Sequence, residues 1–146
     1  MNDIANIGAP ATSKFQLWAG RIMSALFVLF MIADTAIKLL QLKVVDDALT
    51  QLGYPAGLGL PIGVLQAILL ILYVVPRTAV LGTVLLTGLF GGAAAAHLRV
   101  GSPLFSHVLF GVYLGLLAWG GLWLRDATLR ALFPVRGVGR RMTGSS

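Results

Sequence analysis

Four long apolar runs divide the chain, and each is close to the length that crosses a bilayer as a helix. They cover residues 15–40, 58–75, 78–98 and 103–124. A hydrocarbon core of about 30 Å needs about 20 helical residues, and a helix satisfies its own backbone hydrogen bonds in lipid. The strict alternation of polar and apolar residues that is typical of a membrane barrel is absent. The pattern therefore predicts an all-α fold, an integral membrane bundle of four helices.

The segments between the runs predict an antiparallel arrangement. Residues 41–57 form the longest connection, and within it residues 43–52 favour a short interfacial helix that ends at Gly53. Pro76 and Pro103 mark the other two junctions, since proline suits the first turn of a helix but not its interior. Short turns make sequential helices antiparallel neighbours. We expect one domain over residues 15–133, a mobile tail at 1–14 and a basic mobile tail at 134–146.

Lysine and arginine positions predict the orientation of this bundle. With the N-terminus inside, the outer segments hold only Lys38, Lys43 and Arg99. Because cytoplasmic segments carry the excess of basic residues, the distribution predicts an N-in, C-in topology. Trp18, Tyr73 and Trp123 are expected at the inner interface, where aromatic side chains concentrate. The basic residues on the inner side are Lys14, Arg21, Arg77, Arg125, Arg130, Arg136, Arg140 and Arg141.

Composition narrows the class of protein. Hydrophobic residues make up 58% of the 146 residues and charged residues 11%, with a net charge of +6 and a mean hydropathy of +0.89. A soluble enzyme of this size could not bury so much apolar surface. The basic residues lie between apolar runs, which indicates membrane topology and not nucleic-acid binding. The chain has no cysteine, which excludes disulfides and thiolate metal sites on it, and we expect no metal site.

Polar residues within the apolar runs are candidates for function, because an ionisable group inside a bilayer is costly. Asp34 and Lys38 lie four residues apart on one helical face, with the acid first, which is the favourable order for an ion pair. They can stabilise helix packing, bind a ligand or handle protons. Gln66 lies in the second helix and can donate a hydrogen bond across helices.

Three further candidates lie around the turn between the third and fourth runs. His97 ends one helix and His107 begins the next, so we expect them at similar depth. Imidazole can act as an acid or base, as a haem or metal ligand, or as a hydrogen-bonding group. Arg99 can attract an anionic headgroup or a quinone oxygen, or anchor the helix at the interface. We expect one ligand-binding or proton-handling site in the outer half of the bundle, formed by Asp34, Lys38, Gln66, His97, Arg99 and His107.

Glycine pairs spaced four residues apart predict close helix packing. They serve contacts within the chain or contacts between copies in a homo-oligomer. The pairs are Gly59 and Gly63, Gly88 and Gly92, and Gly111 and Gly115.

Several motifs follow one another in an order known from one family. They are Arg21-Ile22-x-Ser24, Asp34-x-x-x-Lys38, Leu52-Gly53-Tyr54-Pro55, Pro76-Arg77-Thr78, Gly91-Gly92-Ala93, His97-Leu98-Arg99 and Trp119-Gly120-Gly121. Over residues 21–133 the chain resembles the DoxX-like family of small bacterial four-helix membrane proteins.

The resemblance implies a multi-pass protein of the bacterial inner, or cytoplasmic, membrane. The family name comes from subunits associated with thiosulfate:quinone oxidoreduction, and other relatives are linked to oxidative-stress membrane complexes. Most DoxX-like proteins have no settled activity, so whether this chain is an enzyme stays open. Related proteins often carry Glu in the second helix where this chain has Gln66, which removes one carboxylate from any proton-transfer route.

Three functions are compatible with these residues. The first is a component that binds a quinone or isoprenoid near the outer face and serves a redox partner protein, since this chain supplies no electron carrier of its own. The second is a small proton-coupled transporter with Asp34 as the coupling site. The third is a non-catalytic membrane scaffold or assembly factor, in which the polar residues only fix helix packing.

Overall fold

The computed structural model describes residues 12–133, and within that range every regular element is helical. A π-helical turn, Leu104–Val108, precedes the fifth α-helix. The all-α prediction is confirmed, and the predicted boundaries agree within about two residues. Residues 1–11 and 134–146, which hold most of the two predicted tails and Arg136, Arg140 and Arg141, lie outside the described residues. The α-helices are α1 (Lys14–Leu39), α2 (Lys43–Gln51), α3 (Gly59–Val74), α4 (Ala79–Arg99), α5 (Phe110–Arg125) and α6 (Ala127–Leu132).

Within residues 12–133, three helical segments are long and apolar enough to cross a membrane: α1, α4, and the continuous stretch Leu104–Arg125. The apolar helix α3 is shorter, with 16 residues. Large apolar side chains on these helices are exposed, as lipid contact requires; Ile71 is 62% exposed and Leu116 64%. The chain is therefore a multi-pass membrane protein. The four crossings and the N-in, C-in topology stay predictions.

Local sequence signals account for the helix boundaries. Ser13 and Gln16 form a capping box at the start of α1, in which each side chain accepts from the backbone of the other. Asp126 caps α6 through the amides of Thr128 and Leu129. Gly53 adopts a φ of +77° just after α2, a conformation that costs glycine least.

The four longer helices pack in a ring, in which α1 and α4 each contact both α3 and α5. Its core is made of Phe27, Met31, Leu69, Leu70, Tyr73, Leu86, Leu114 and Ala118. Tyr73 lies one residue before the end of α3, and its side chain is 1% exposed, turned into the core. The ring packs edge-on against Phe27, and the hydroxyl pairs with Ser24 Oγ at 3.1 Å and lies 3.3 Å from the Ala118 carbonyl oxygen. These partners compensate for burying the phenol.

Glycines bring the helix backbones together at the end of the bundle that carries α6, which we call the α6 end. A Cβ added at Gly82 of α4 would lie 2.4 Å from the Tyr73 nitrogen of α3. One added at Gly20 of α1 would lie 2.9 Å from the Gly121 carbonyl oxygen of α5. Neither contact leaves room for a side chain, so glycine sets the helix spacing here.

The six predicted packing glycines fall into two groups. Cβ atoms added at Gly59, Gly63 and Gly111 would lie 2.8 to 3.0 Å from Val45, Lys38 and Phe90, so these three stand at contacts between elements of the chain. Around Gly88, Gly92 and Gly115 nothing within residues 12–133 lies within 4 Å of an added Cβ. A packing role for this second group stays a prediction.

Gly82→Ala is expected to destabilise the fold, because the methyl group would displace backbone atoms of α3. We expect a loss of about 1–3 kcal/mol in the free energy of unfolding. Gly91→Ala is the matched control on the same helix, since nothing described lies within 4 Å of its Cβ. Unfolding of both variants in detergent micelles would test this, and equal stability of the two would contradict it.

Candidate functional site

A cavity of about 640 Å³ lies at the opposite end of the bundle, which we call the α2 end. It is lined by α1, α3, α4 and α5 together with the π-helical turn, and α2 contributes Val44, Val45, Ala48 and Leu49 to its wall. Most of its lining is apolar. The structure brings five of the six predicted polar residues to this one cavity, namely Asp34, Lys38, Gln66, His97 and His107.

Hydrogen bonds join three of these residues across α1 and α3. Asp34 Oδ2 accepts from the Lys38 ammonium, one turn later on α1, and from Gln66 Nε2 of α3 at 2.7 Å. Gln66 Nε2 also donates to Thr35 Oγ1 at 2.9 Å. Gln66 is 3% exposed, so its cross-helix bonds are made where water does not compete with them. The cross-helix hydrogen bonding predicted for Gln66 is present.

This network leaves polar atoms unused. Both amide hydrogens of Gln66 are donated, and among residues 12–133 no group donates to its carbonyl oxygen Oε1. In the same range, Arg125 Nε is the fully buried side-chain nitrogen or oxygen that lacks a hydrogen-bond partner. Since Gln66 Oε1 also lacks a partner but does not share that full burial, it is accessible to another molecule. An ammonium carries three donors, and Lys38 gives one of them to Asp34. The network can therefore both donate to and accept from a molecule in the cavity.

The two histidines face each other across the turn between α4 and α5. Their ring centroids lie 5.4 Å apart at an interplanar angle of 61°. His97 Nδ1 pairs with Ser102 Oγ at 3.0 Å, and His107 Nδ1 pairs with Ser106 Oγ at 2.8 Å. Because each serine engages Nδ1, the Nε2 atom of each ring remains for other partners. The similar depth expected for these two residues is observed.

Arg99 lies beside the cavity and does not line it. Its guanidinium donates to the Leu52 carbonyl and lies 5.9 Å from the centre of the Tyr54 ring. Both partners belong to the end of α2 and the residues after it. Arg99 therefore ties α4 to the α2 connection, while Tyr54 and Leu52 themselves line the cavity.

The α2 helix is held against the bundle by its apolar face. Val45 is buried and packs on Gly59 at the start of α3. Asp46 Oδ1 accepts from the Gly57 amide at 3.1 Å and fixes the following loop. On the exposed face, the hydrogen bond and the charge of Asp47 raise the pKa of Lys43 above its usual value.

Small residues of α4 create the open volume. Gly88, Gly92, Ala93 and Ala96 all line the cavity, where larger side chains would fill it. Towards the middle of the bundle Met31 and Leu114 line it, and both belong to the apolar core. The cavity therefore has polar groups near the α2 end and an apolar interior.

Sequence reasoning missed four residues of this site: Thr35, Tyr54, Ser102 and Ser106. Thr35 follows Asp34 directly, and the two serines lie within five residues of the histidines that they contact. Hydroxyl groups this close in sequence to the candidate residues were the available signal. Tyr54 belongs to the Leu52-Gly53-Tyr54-Pro55 motif of the family resemblance, but its contact with Arg99 depends on the fold.

These features define a class: a small helical membrane protein with an amphipathic cavity at one end of the bundle. Residues 22–121, more than half of the chain, match the family model described as the DoxX-like family. The chain belongs to the DoxX-like family, which confirms the resemblance. No curated protein and no solved structure matches it.

Lys38→Met is expected to destabilise the bundle, because it leaves the half-buried Asp34 carboxylate without its cation. We expect a loss of about 2 kcal/mol, as for hydrogen bonds to charged groups. The double variant Asp34→Leu/Lys38→Met should lose less, since it removes both charges together. Unfolding of the single and double variants in micelles measures this, and a double variant less stable than Lys38→Met would refute the expectation.

Proposed function

We propose that this protein binds a quinone or another isoprenoid at the α2 end and serves a redox partner in the membrane. The observation that carries the proposal is the amphipathic cavity, which holds five predicted polar residues within an apolar lining. Its volume, about 640 Å³, falls in the range of about 300–1,000 Å³ that is typical of small-molecule sites.

The charges of the cavity favour a neutral head group. Asp34 and Lys38 are oppositely charged and pair with each other, and no other Asp, Glu, Lys or Arg of the described chain lines the cavity. An anionic ligand would meet no unpaired cation in the lining, because Arg99 lies beside the cavity and does not line it. A quinone carbonyl instead needs hydrogen-bond donors, which Lys38 Nζ and a histidine Nε2–H supply.

The same groups suit proton exchange at a quinone. Reduction of a quinone to a quinol takes up two electrons and two protons. The electrons come from the redox partner, because the chain has no cysteine and supplies no electron carrier. Asp34, His97 and His107 are the proton-exchanging groups of the cavity, and they lie on α1, α4 and the π-helical turn.

We propose that the protein lies in a bacterial inner membrane with four crossings and an N-in, C-in topology, which places the cavity in the outer half. Thr50→Cys in α2 and Ala131→Cys in α6 test this, since both residues are exposed and the native chain has no cysteine. A membrane-impermeant maleimide should label Thr50→Cys in intact spheroplasts and Ala131→Cys only after permeabilisation. The reverse pattern, or labelling of both in intact spheroplasts, would overturn the topology.

Filling the cavity should remove the ligand. Protein purified in native nanodiscs is expected to carry one quinone or isoprenoid enriched over the bulk membrane, as detected by mass spectrometry. Gly92→Leu should lose this enrichment because Gly92 lines the cavity and a leucine side chain there would take up part of its volume, whereas Gly115→Leu should keep it. Gly115 is the matched control, since nothing described lies within 4 Å of it and it does not line the cavity.

The polar residues provide the second part of this test. Asp34→Asn/His97→Ala should lose the same ligand while the fold is retained, because the polar head group loses its partners. Equal and unselective lipid in the native protein and in all the variants would contradict ligand binding and favour the scaffold function. Proton-driven uptake that Asp34→Asn abolishes would instead identify the transporter function.

A further inference from the structure

The helix ring is closed at the α2 end along three of its four seams. Gly63 of α3 packs against Lys38 of α1, and Gln66 donates to Asp34 across the same seam. Between α1 and α5, the Phe30 and Phe110 ring centroids lie 5.3 Å apart. A Cβ added at Gly111 of α5 would lie 3.0 Å from Phe90 Cβ of α4.

On the fourth seam, between α3 and α4, Gly82 lies against the backbone of Leu72 and Tyr73 near the α6 end. Beyond it, Gly88 and Gly92 are exposed and nothing described lies within 4 Å of an added Cβ. Across the described chain, no side-chain hydrogen bond or aromatic contact joins these two helices in the α2 half. The α4 edge of this seam therefore has a gap in side-chain packing at Gly88 and Gly92.

The cavity extends into this gap. Gly88 points nearly opposite to Leu86, because two residues turn a helix by about 200°. Leu86 is fully buried in the core, so Gly88 lies on the outward side of α4. Gly88 nevertheless lines the cavity, together with Gly92 of α4 and Ile62 of α3. A cavity bounded by an outward-facing residue opens to the surface at that residue.

We propose that the α3–α4 seam beside Ile62, Gly88 and Gly92 is a lateral portal for the hydrocarbon chain of a single-headed amphiphile. This inference rests on the proposed function and adds the route and the ligand's shape. The polar head would lie near Asp34, Gln66 and His97, and the chain would leave towards the lipid beside Gly88. Gly88 lies nine residues before His97, about 13 Å along the helix. The hydrocarbon chain therefore leaves the cavity on the side of the polar groups that faces the α6 end.

Two features of the seam suit a hydrocarbon chain. Its edges carry apolar side chains that are exposed in the described structure, Leu65 at 47% on α3 and Leu85 at 41% on α4. Its α4 edge has no side chain at Gly88 and Gly92, which leaves a smooth backbone surface. A long isoprenoid tail exceeds the cavity, and the portal lets the tail lie in the membrane while the head is bound.

The first test maps where the tail lies. The probe is a benzoquinone with a decyl chain that carries a diazirine at its end, added to the native protein in nanodiscs and photolysed. Adducts are expected on the facing peptides of α3 and α4, and an excess of tail-less benzoquinone should prevent them. Adducts concentrated at the α1–α5 seam beside Phe30 and Phe110, or on α2, would overturn the portal.

The second test blocks the seam. Gly88→Phe should slow both association and dissociation of the decyl probe by about tenfold, as a gate does, and slow the tail-less quinone much less. Gly91→Phe is the matched control, because Gly91 lies three residues further along α4, nothing described lies within 4 Å of it and it does not line the cavity. Equal effects of Gly88→Phe and Gly91→Phe, or equal effects on both quinones, would overturn the portal.

The two proposals fail in different ways. If neither quinone binds saturably to the native protein, the proposed function fails and the portal fails with it. If the tail-less quinone binds and Gly92→Leu abolishes its binding, while the decyl adducts lie away from α3 and α4, the site stands and only the portal is wrong.

Discussion

The backbone contact between α3 and α4 at Gly82 determines the shape of the molecule. Its missing side chain lets the two helices touch beside the Pro76 turn. Further along the helix, α3 contacts α1 through Gly63 and Gln66. The cavity lies at that end of the bundle, where Gly88, Gly92, Ala93 and Ala96 of α4 carry little or no side chain. The site therefore depends both on where glycine permits close approach and on where small residues leave open volume.

The polar network at the α2 end has to offset the cost of placing a carboxylate in an apolar bundle. Lys38 balances the charge of Asp34, and Gln66 adds a neutral donor from the neighbouring helix. A carboxylate at position 66 would repel Asp34 unless one of the two took up a proton. The amide of Gln66 avoids that repulsion and fixes Asp34 through a hydrogen bond. In this chain the pair Asp34 and Lys38 therefore needs no third charge to be stable.

Much of this structure could be predicted from the sequence. The apolar runs, Pro76, Pro103 and Gly53 were enough to predict the helices and their order. Run length and turn residues are local features of the sequence, so no knowledge of the fold was needed. The depth of Asp34, Gln66 and the histidines along their helices was enough to group them at one end. Family membership followed from short motifs that occur in the same order.

The rest depended on helix rotation and tilt, which no local pattern determines. Tyr73 lies one residue before the end of α3, where an aromatic residue is typical of the interface, yet its rotation turns it into the core against Phe27. Arg99 shares its helix end with His97, but it turns to the Leu52 carbonyl and leaves the cavity. Gly88 and Gly92 have the spacing of a packing motif and instead border open space. In each case the sequence indicates the type of the residue and its position along the helix, but not the direction in which its side chain points.

The neutral charge of the cavity also constrains any chemistry that occurs there. An electron added alone to a bound quinone would leave a negative charge in an apolar cavity, which is costly because little water is present to solvate it. A proton that arrives with the electron removes that cost. His97 and His107 are suited to supply it, since serines hold their Nδ1 atoms and their Nε2 atoms remain for a ligand. Asp34 Oδ2 is already engaged by Lys38 and Gln66. Under the proposed function, the ion pair would position the head group, and the histidine pair would be the nearer source of protons.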